Sequence, residues 1–345
     1  MIEVHDLTKR YGPVEAVKDV SFSVGKDQVL GFLGPNGAGK TTIMKILTGY
    51  HFPSSGTALI DGVSVQDEPV EVKKRIGYLP ESVPLYGDLS VREYLGFIAE
   101  GRLIPANERK RAIDAALSAC GLEQVRAKRI ENLSKGYKQR VGLAQAIIHD
   151  PPILILDEPT SGLDPNQIIE IRFLIKGLGE RKTVLLSTHI LQEVEAVCSQ
   201  VLIINEGRIA AQGKPEEIAG TLKGGDTWEL LLKGSGRAGV EERLTRLTIP
   251  GPGRELSGLE IEEREDGTVK AAFFLGNSGA EGENAGEGIF DWAVSEGLKL
   301  LMMNRKKLSL EDIFVKLTGE ERAGQQLTGE ERAGKRQSTD AGGQS

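Results

Sequence analysis

The apolar run Val29-Leu30-Gly31-Phe32-Leu33 leads directly into Gly34-Pro35-Asn36-Gly37-Ala38-Gly39-Lys40-Thr41, and no other stretch limits the possible folds as tightly. Five residues are too few for a buried helix, so the run reads as a core strand that feeds a glycine-rich turn and then a helix. In such a unit backbone N–H groups close around a polyphosphate. Lys40 reaches the outer phosphates, and the Thr41 hydroxyl can ligate magnesium. The expected ligand is a nucleoside triphosphate. A glycine turn that only joins a strand to a helix would satisfy the same spacing, so the rest of the chain has to supply a metal site and an attacking water.

With 345 residues, 39% of them apolar, the chain can bury two cores and still carry a tail. A net charge of −7 and a pI near 5.4 argue against nucleic acid as a partner. The two cysteines, Cys120 and Cys198, lie in apolar helical patterns and read as small buried hydrophobes of a reducing compartment. No stretch approaches the roughly 18 apolar residues of a membrane span, and the first residues lack the pattern of a signal peptide. A cytoplasmic protein is expected.

From Ile2 to about Gly220, short apolar strands alternate with amphipathic helices, which predicts an α/β unit with a largely parallel sheet. Its strongest strands are 29–33, 153–156, 184–186 and 201–204. Helical spacing takes over between Val91 and Arg129, with Val91, Tyr94, Leu95 and Ile98 on one face and Ile113, Ala116, Leu117 and Cys120 on another. This predicts an inserted helical subdomain, about residues 88–145. Beyond a glycine linker near 223–225 the order becomes βαββαβ, with strands at 227–232, 259–263, 269–275 and 298–303 and helices at 240–247 and 289–296. The expected units are therefore 1–222, an accessory ferredoxin-like α+β domain at 226–318, and a disordered tail at 319–345. A mobile loop at 276–288 and a last helix capped by Ser309 complete the expectation. Within the tail, 327–334 repeats 317–324 without change, too short a repeat for a solenoid.

Ile153-Leu154-Ile155-Leu156-Asp157-Glu158 supplies what the glycine loop lacks. A buried strand ends in two adjacent carboxylates, one for the metal shell and one to polarise water. Ser161-Gly162-Leu163-Asp164 follows, and then a helix opening with Pro165. A second buried strand ends at His189, on the edge where open α/β sheets bind ligands. Upstream, Leu133-Ser134-Lys135-Gly136-Tyr137 opens another helix, whose N-terminus is either a phosphate site or an ordinary cap at Ser134.

In this order the motifs resemble the nucleotide-binding subunit of an ATP-binding-cassette transporter, and the likeness extends from Ile2 to about Gly220. The resemblance implies a phosphate-loop ATPase fold. Tyr11 would stack on adenine, residues Gly34, Pro35, Asn36, Gly37, Ala38 and Gly39 would wrap the phosphates, and Lys40, Thr41 and Thr42 would hold phosphate and metal. Asp157 and Glu81 would support Mg2+ together with Thr41. Glu158 would act on water and His189 would sense the γ-phosphate. Family members dimerise head to tail, so Ser134, Gly136 and Asp164 would meet ATP bound to the other copy, whether identical or related. The signature carries Lys135 and Tyr137 where the family prefers glycine and glutamine, and Glu81 stands where glutamine is commonest. These variants, with Leu308-Ser309-Leu310-Glu311-Asp312-Ile313-Phe314, look most like the ABC-2 subgroup of drug-exporter and gliding-motility-type systems. The implied function is ATP hydrolysis that drives a separate transmembrane permease from the inner face of the membrane. The alternative is a soluble cassette ATPase serving a translation or DNA-repair machine, which commonly carries two cassettes or coiled-coil inserts. This chain has one cassette and no sustained heptads.

Overall fold

The computed structural model describes residues 1–215, 218, 225–247, 256–264, 266–276, 285–306 and 314. The first unit holds strands β1 (Ile2–Tyr11), β2 (Val14–Val24), β3 (Val29–Leu33), β4 (Ser55–Ile60), β5 (Val63–Ser64), β6 (Ile76–Leu79), β7 (Ile153–Asp157), β8 (Thr183–Thr188), β9 (Gln200–Asn205) and β10 (Arg208–Gly213). Its helices are α1 (Lys40–Leu47), α2 (Pro69–Arg75), α3 (Val91–Gly101), α4 (Ala106–Ala119), α5 (Lys135–Ile147), α6 (Pro165–Gly179) and α7 (Leu191–Val197). The central sheet runs β10-β9-β3-β8-β7-β6, parallel except for the β10–β9 pair.

Side chains alternate across a strand, so each central strand feeds two cores. Leu154, Leu156, Val184, Leu186, Val201 and Ile203 face the layer containing α3 to α7. Ile153, Ile155, Leu185, Leu202, Ile204 and Phe32 face the layer containing α1 and the remaining strands. All are essentially removed from solvent, and each such side chain contributes about 1.5–3 kcal/mol of burial. This is why the strands read as continuous apolar runs.

The expectation of simple strand–helix alternation from Ile2 onward needs one addition. Strands β1, β2, β4 and β5 form a separate four-stranded antiparallel sheet, in the order β2-β1-β4-β5. Register shifts within β1–β2 break the period-2 pattern there, which hides the hairpin from the sequence. Helices α3, α4 and α5 stand between β6 and β7 in the chain. Ser90 and Glu93 form a reciprocal capping box at α3, with Ser90 N–H donating to Glu93 Oε2 at 2.8 Å. Cys120 and Cys198 are buried free thiols whose pKa values burial pushes up to about 12.

The second unit is built from β11 (Gly225–Lys233), α8 (Arg237–Leu244), β12 (Leu256–Glu263), β13 (Thr268–Gly276), α9 (Ala285–Ser295) and β14 (Lys299–Lys306). The βαββαβ order matches the expectation, and the sheet is antiparallel in the order β12-β13-β11-β14. Trp228, Leu230, Leu232, Val269, Phe273, Ile289 and Trp292 make its core. The predicted linker at 223–224, most of the loop at 276–288, the Ser309 cap and the tail at 319–345 lie outside the described residues.

Candidate ATP site

The glycine loop closes because of what surrounds it. Gly39 has φ of 107°, and a Cβ there would sit 2.6 Å from the Ala16 carbonyl; one on Gly34 would sit 2.4 Å from the Ile204 carbonyl. Both positions require glycine, the first for conformation and the second for close approach. The loop lines a cavity of about 240 Å³ with Pro35, Asn36, Gly37, Ala38, Gly39, Lys40, Thr41 and Thr42, and Glu81, Glu158 and His189 close it from other elements. Ala16 and Ser161 also line it, and the sequence reading gave neither a role.

At the floor, Lys40 is 5% exposed. Its Nζ donates to the Gly34 carbonyl at 2.6 Å and to the Pro35 carbonyl at 3.2 Å, and lies 3.5 Å from Glu158 Oε1. The other Glu158 oxygen is 2.9 Å from His189 Nδ1. Glu158 therefore bridges the phosphate-loop lysine and the strand-end histidine. Its backbone is left-handed, with φ of 47°, a conformation that a non-glycine residue holds only when its surroundings dictate it. Part of that restraint comes from Ser187 on β8, whose Oγ accepts from Glu158 N–H at 2.9 Å. The same Oγ donates to Asp157 Oδ1 at 2.6 Å, and Thr41 Oγ1 donates to that oxygen at 3.2 Å. Ser187 was missed as a functional residue. Its signal was a polar side chain inside a strand that is buried along its whole length.

Thr41, Asp157 and Glu81 present hydroxyl and carboxylate oxygens of the hard type that magnesium prefers, with Asp157 oriented by two hydroxyls. The donor set fits Mg2+. Nearby, burial and then the Asp157 carboxylate hold the Tyr78 phenol above its usual pKa.

Six predicted residues do not line this cavity: Gly34 and Asp157 are bonded to lining residues, Lys40 and Thr41, while Tyr11, Ser134, Gly136 and Asp164 lie elsewhere. Tyr11 is 43% exposed at the end of β1, with its ring edge-on to His51 at 5.8 Å and Lys9 Nζ 5.1 Å from its centroid. Ser134 is the N-cap of α5, its Oγ accepting from Tyr137 N–H at 3.4 Å, and Gly136 lies against Gln167 of α6. Asp164 caps α6 by accepting from Gln167 N–H at 3.0 Å. Lys135 reaches back to Gly162, so the start of α5 and the turn before α6 form one neighbouring surface.

Comparison with known proteins agrees with this geometry. The ABC transporter family profile matches residues 17–161. An ABC transporter ATP-binding protein of Synechocystis sp. is 37% identical over 326 residues, covering 92% of this chain and 84% of the relative. The bacitracin transport ATP-binding protein BcrA of Bacillus licheniformis is 35% identical, covering 92% of this chain and 97% of the relative. Among solved structures, the dimeric ATP-binding cassette MJ0796 in a post-hydrolysis state bound to ADP and Pi superposes with a TM-score of 0.57. It is 25% identical and covers 62% of this chain and 98% of that one. The chain therefore belongs to the ATP-binding subunits of ABC transporters, in the ABC-2 drug-exporter-like branch, and is an ATPase.

Proposed function

We propose that this ATPase is the motor of an exporter, that it works as a pair of cassettes, and that Glu158 and His189 are its catalytic residues. The observation that carries the reading is the Glu158 carboxylate, 3.5 Å from Lys40 Nζ and 2.9 Å from His189 Nδ1 in the wall of the loop cavity. Lys40, Thr41, Thr42 and the amides of the glycine loop hold the phosphates. Thr41, Asp157 and Glu81 would hold Mg2+, which would neutralise charge that builds on the phosphates. Glu158 takes the proton of a water that attacks the γ-phosphorus. The bond to the β-phosphate oxygen breaks, and ADP and inorganic phosphate leave. His189, partnered with Glu158, is placed to register whether the γ-phosphate is present.

Ser134, Gly136 and Asp164 have no role in their own cavity, which supports a second copy as the place where they act. The solved cassette is a dimer. Tyr11 keeps an exposed ring for stacking on adenine. The unit boundaries near 222 and 226 gain support from the cassette's coverage of 62% of the chain, while the transporter relatives cover 92%. In the second unit, the strand order with β11 and β13 central supports a ferredoxin-like accessory domain.

A separate permease is the partner. Among the described residues no helix is long and apolar enough to cross a membrane. Tyr86 and Phe97, exposed and 5.4 Å apart edge to face, offer an aromatic patch at the helical layer for it. The transport names of the relatives favour this over service to a translation or repair machine. Docking on a permease places the chain on the inner face of the membrane. The test is affinity purification of tagged Glu158→Gln from detergent-solubilised native membranes, with and without Mg-ATP. A polytopic partner in stoichiometric amount is expected. Recovery with ribosomes or DNA, or only from the soluble fraction, would contradict the reading.

A further inference from the structure

Glu193 lies in the first turn of α7, is 2% exposed, and lines no part of the ATP cavity. A carboxylate so buried is costly unless both oxygens are satisfied. Here Thr160 Oγ1 donates to one oxygen through a short hydrogen bond, and Thr188 Oγ1 donates to the other at 2.6 Å. The half-buried Arg172 guanidinium of α6 stands 3.6 Å away, its shielded Nε without a partner among the described residues. Thr188 Oγ1 also accepts from Ile190 N–H at 3.0 Å, so its orientation is fixed.

The positions of the two threonines give this network its meaning. Thr160 lies inside the turn closed by Ser161 N–H donating to the Glu158 carbonyl, and Thr188 immediately precedes His189. Replacing a whole buried ionic cluster by apolar side chains is often neutral for stability, so stability alone is a weak reason for the cluster around Glu193. Geometry is a stronger one. The left-handed Glu158 backbone and the loop carrying His189 come from different strands, and one side chain holds both.

We propose that Glu193 is a positioning residue: its carboxylate bridges Thr160 and Thr188 and thereby fixes Glu158 against His189. This rests on the reading of Glu158 and His189 as the catalytic pair. The bridge also ties Ser161 and His189, both of which line the cavity, into one body. Nucleotide contacts at either residue are thus transmitted to the other without passing through the phosphate loop.

The experiment uses the full chain, with kcat and KM for Mg-ATP hydrolysis and ATP affinity by calorimetry. Glu193→Ala is expected to lower kcat by about 100-fold while ATP affinity stays within about threefold, because misplacement by about 1 Å is enough for such a loss. Glu193→Gln is expected to recover most of that kcat, since an amide can accept from one threonine and donate to the other. Unchanged kcat in a folded Glu193→Ala, or equal losses in the Ala and Gln variants, would overturn the proposal. Should Glu193→Ala fail to fold, Thr160→Val and Thr188→Val replace it. Each is expected to lower kcat, with the double variant losing no more than the worse single one. Additive losses would overturn the bridge. Glu158→Gln, run in parallel, separates the two claims: if it keeps full turnover, the catalytic pair itself is misassigned.

Discussion

In residues 1–215 the buried polar side chains include two bonded networks, Lys40–Glu158–Ser187–Asp157 at the cavity and Thr160–Glu193–Thr188 behind it; among the described residues of the C-terminal unit the corresponding group is Thr268, bonded to Asp266 in a turn. The second unit is held by apolar contact. Its two tryptophans, Trp228 and Trp292, are buried with indole N–H groups that find no partner among the described residues, a cost their large apolar area offsets. A fold gains little net stability from buried polar networks and much from buried rings. The contrast therefore marks where geometry has been selected over cohesion, and it assigns chemistry to the first unit and packing to the second.

The contrast can be broken from either side. Phe273→Ala removes a side chain that is 1% exposed at the centre of the second core, and is expected to cost about 3–5 kcal/mol of that unit's stability. ATP turnover at low temperature should stay unchanged, and a parallel fall in kcat would tie the two units together. Lys40→Ala makes the opposite cut. Losing the buried ammonium from the phosphate site is expected to weaken ATP binding by about 2–3 kcal/mol, roughly 100-fold, with little change in thermal unfolding of the second unit. Calorimetry reads the first effect and a thermal melt the second.

A smaller effect isolates a half-buried polar group of the first unit that lies outside the cavity. His149 Nε2 is 3.0 Å from the Ile76 carbonyl, Nδ1 is shielded without a partner among the described residues, and burial followed by the Arg102 charge lowers its pKa from 6.5 to about 4. The unfolded chain therefore binds this proton first as pH falls, so the contribution to stability is intact above 6.5 and lost between 6.5 and about 4. Partial exposure moderates the size to about 1 kcal/mol near pH 5. Urea titrations of wild type and His149→Gln near pH 7.5 and pH 5 should show the slope flattening in the variant.

Much of the first unit was legible because its chemistry is local in sequence. The glycine loop, Asp157-Glu158 and His189 each sit at the end of a short apolar strand, and the parallel sheet brings those ends to one edge. Ser187, Thr160 and Glu193 were not assigned, since their roles are long-range hydrogen bonds spanning 30, 33 and 5 residues to partners that spacing does not reveal. The β1–β2 hairpin escaped for a different reason, its register shifts having erased the alternation. In the second unit the described elements alternate by type as βαββαβ, but the helix expected at 240–247 runs Arg237–Leu244, because Gly236 starts it a turn earlier.

The central claim, that the polar network around Glu158 performs hydrolysis rather than binding, is tested most directly by measuring single-turnover Mg-ATP hydrolysis and ATP affinity side by side in Glu158→Gln. The predicted result is a rate lowered by about 100- to 10,000-fold with affinity preserved. A near-normal rate, or a loss of affinity that accounts for the loss of rate, would contradict it.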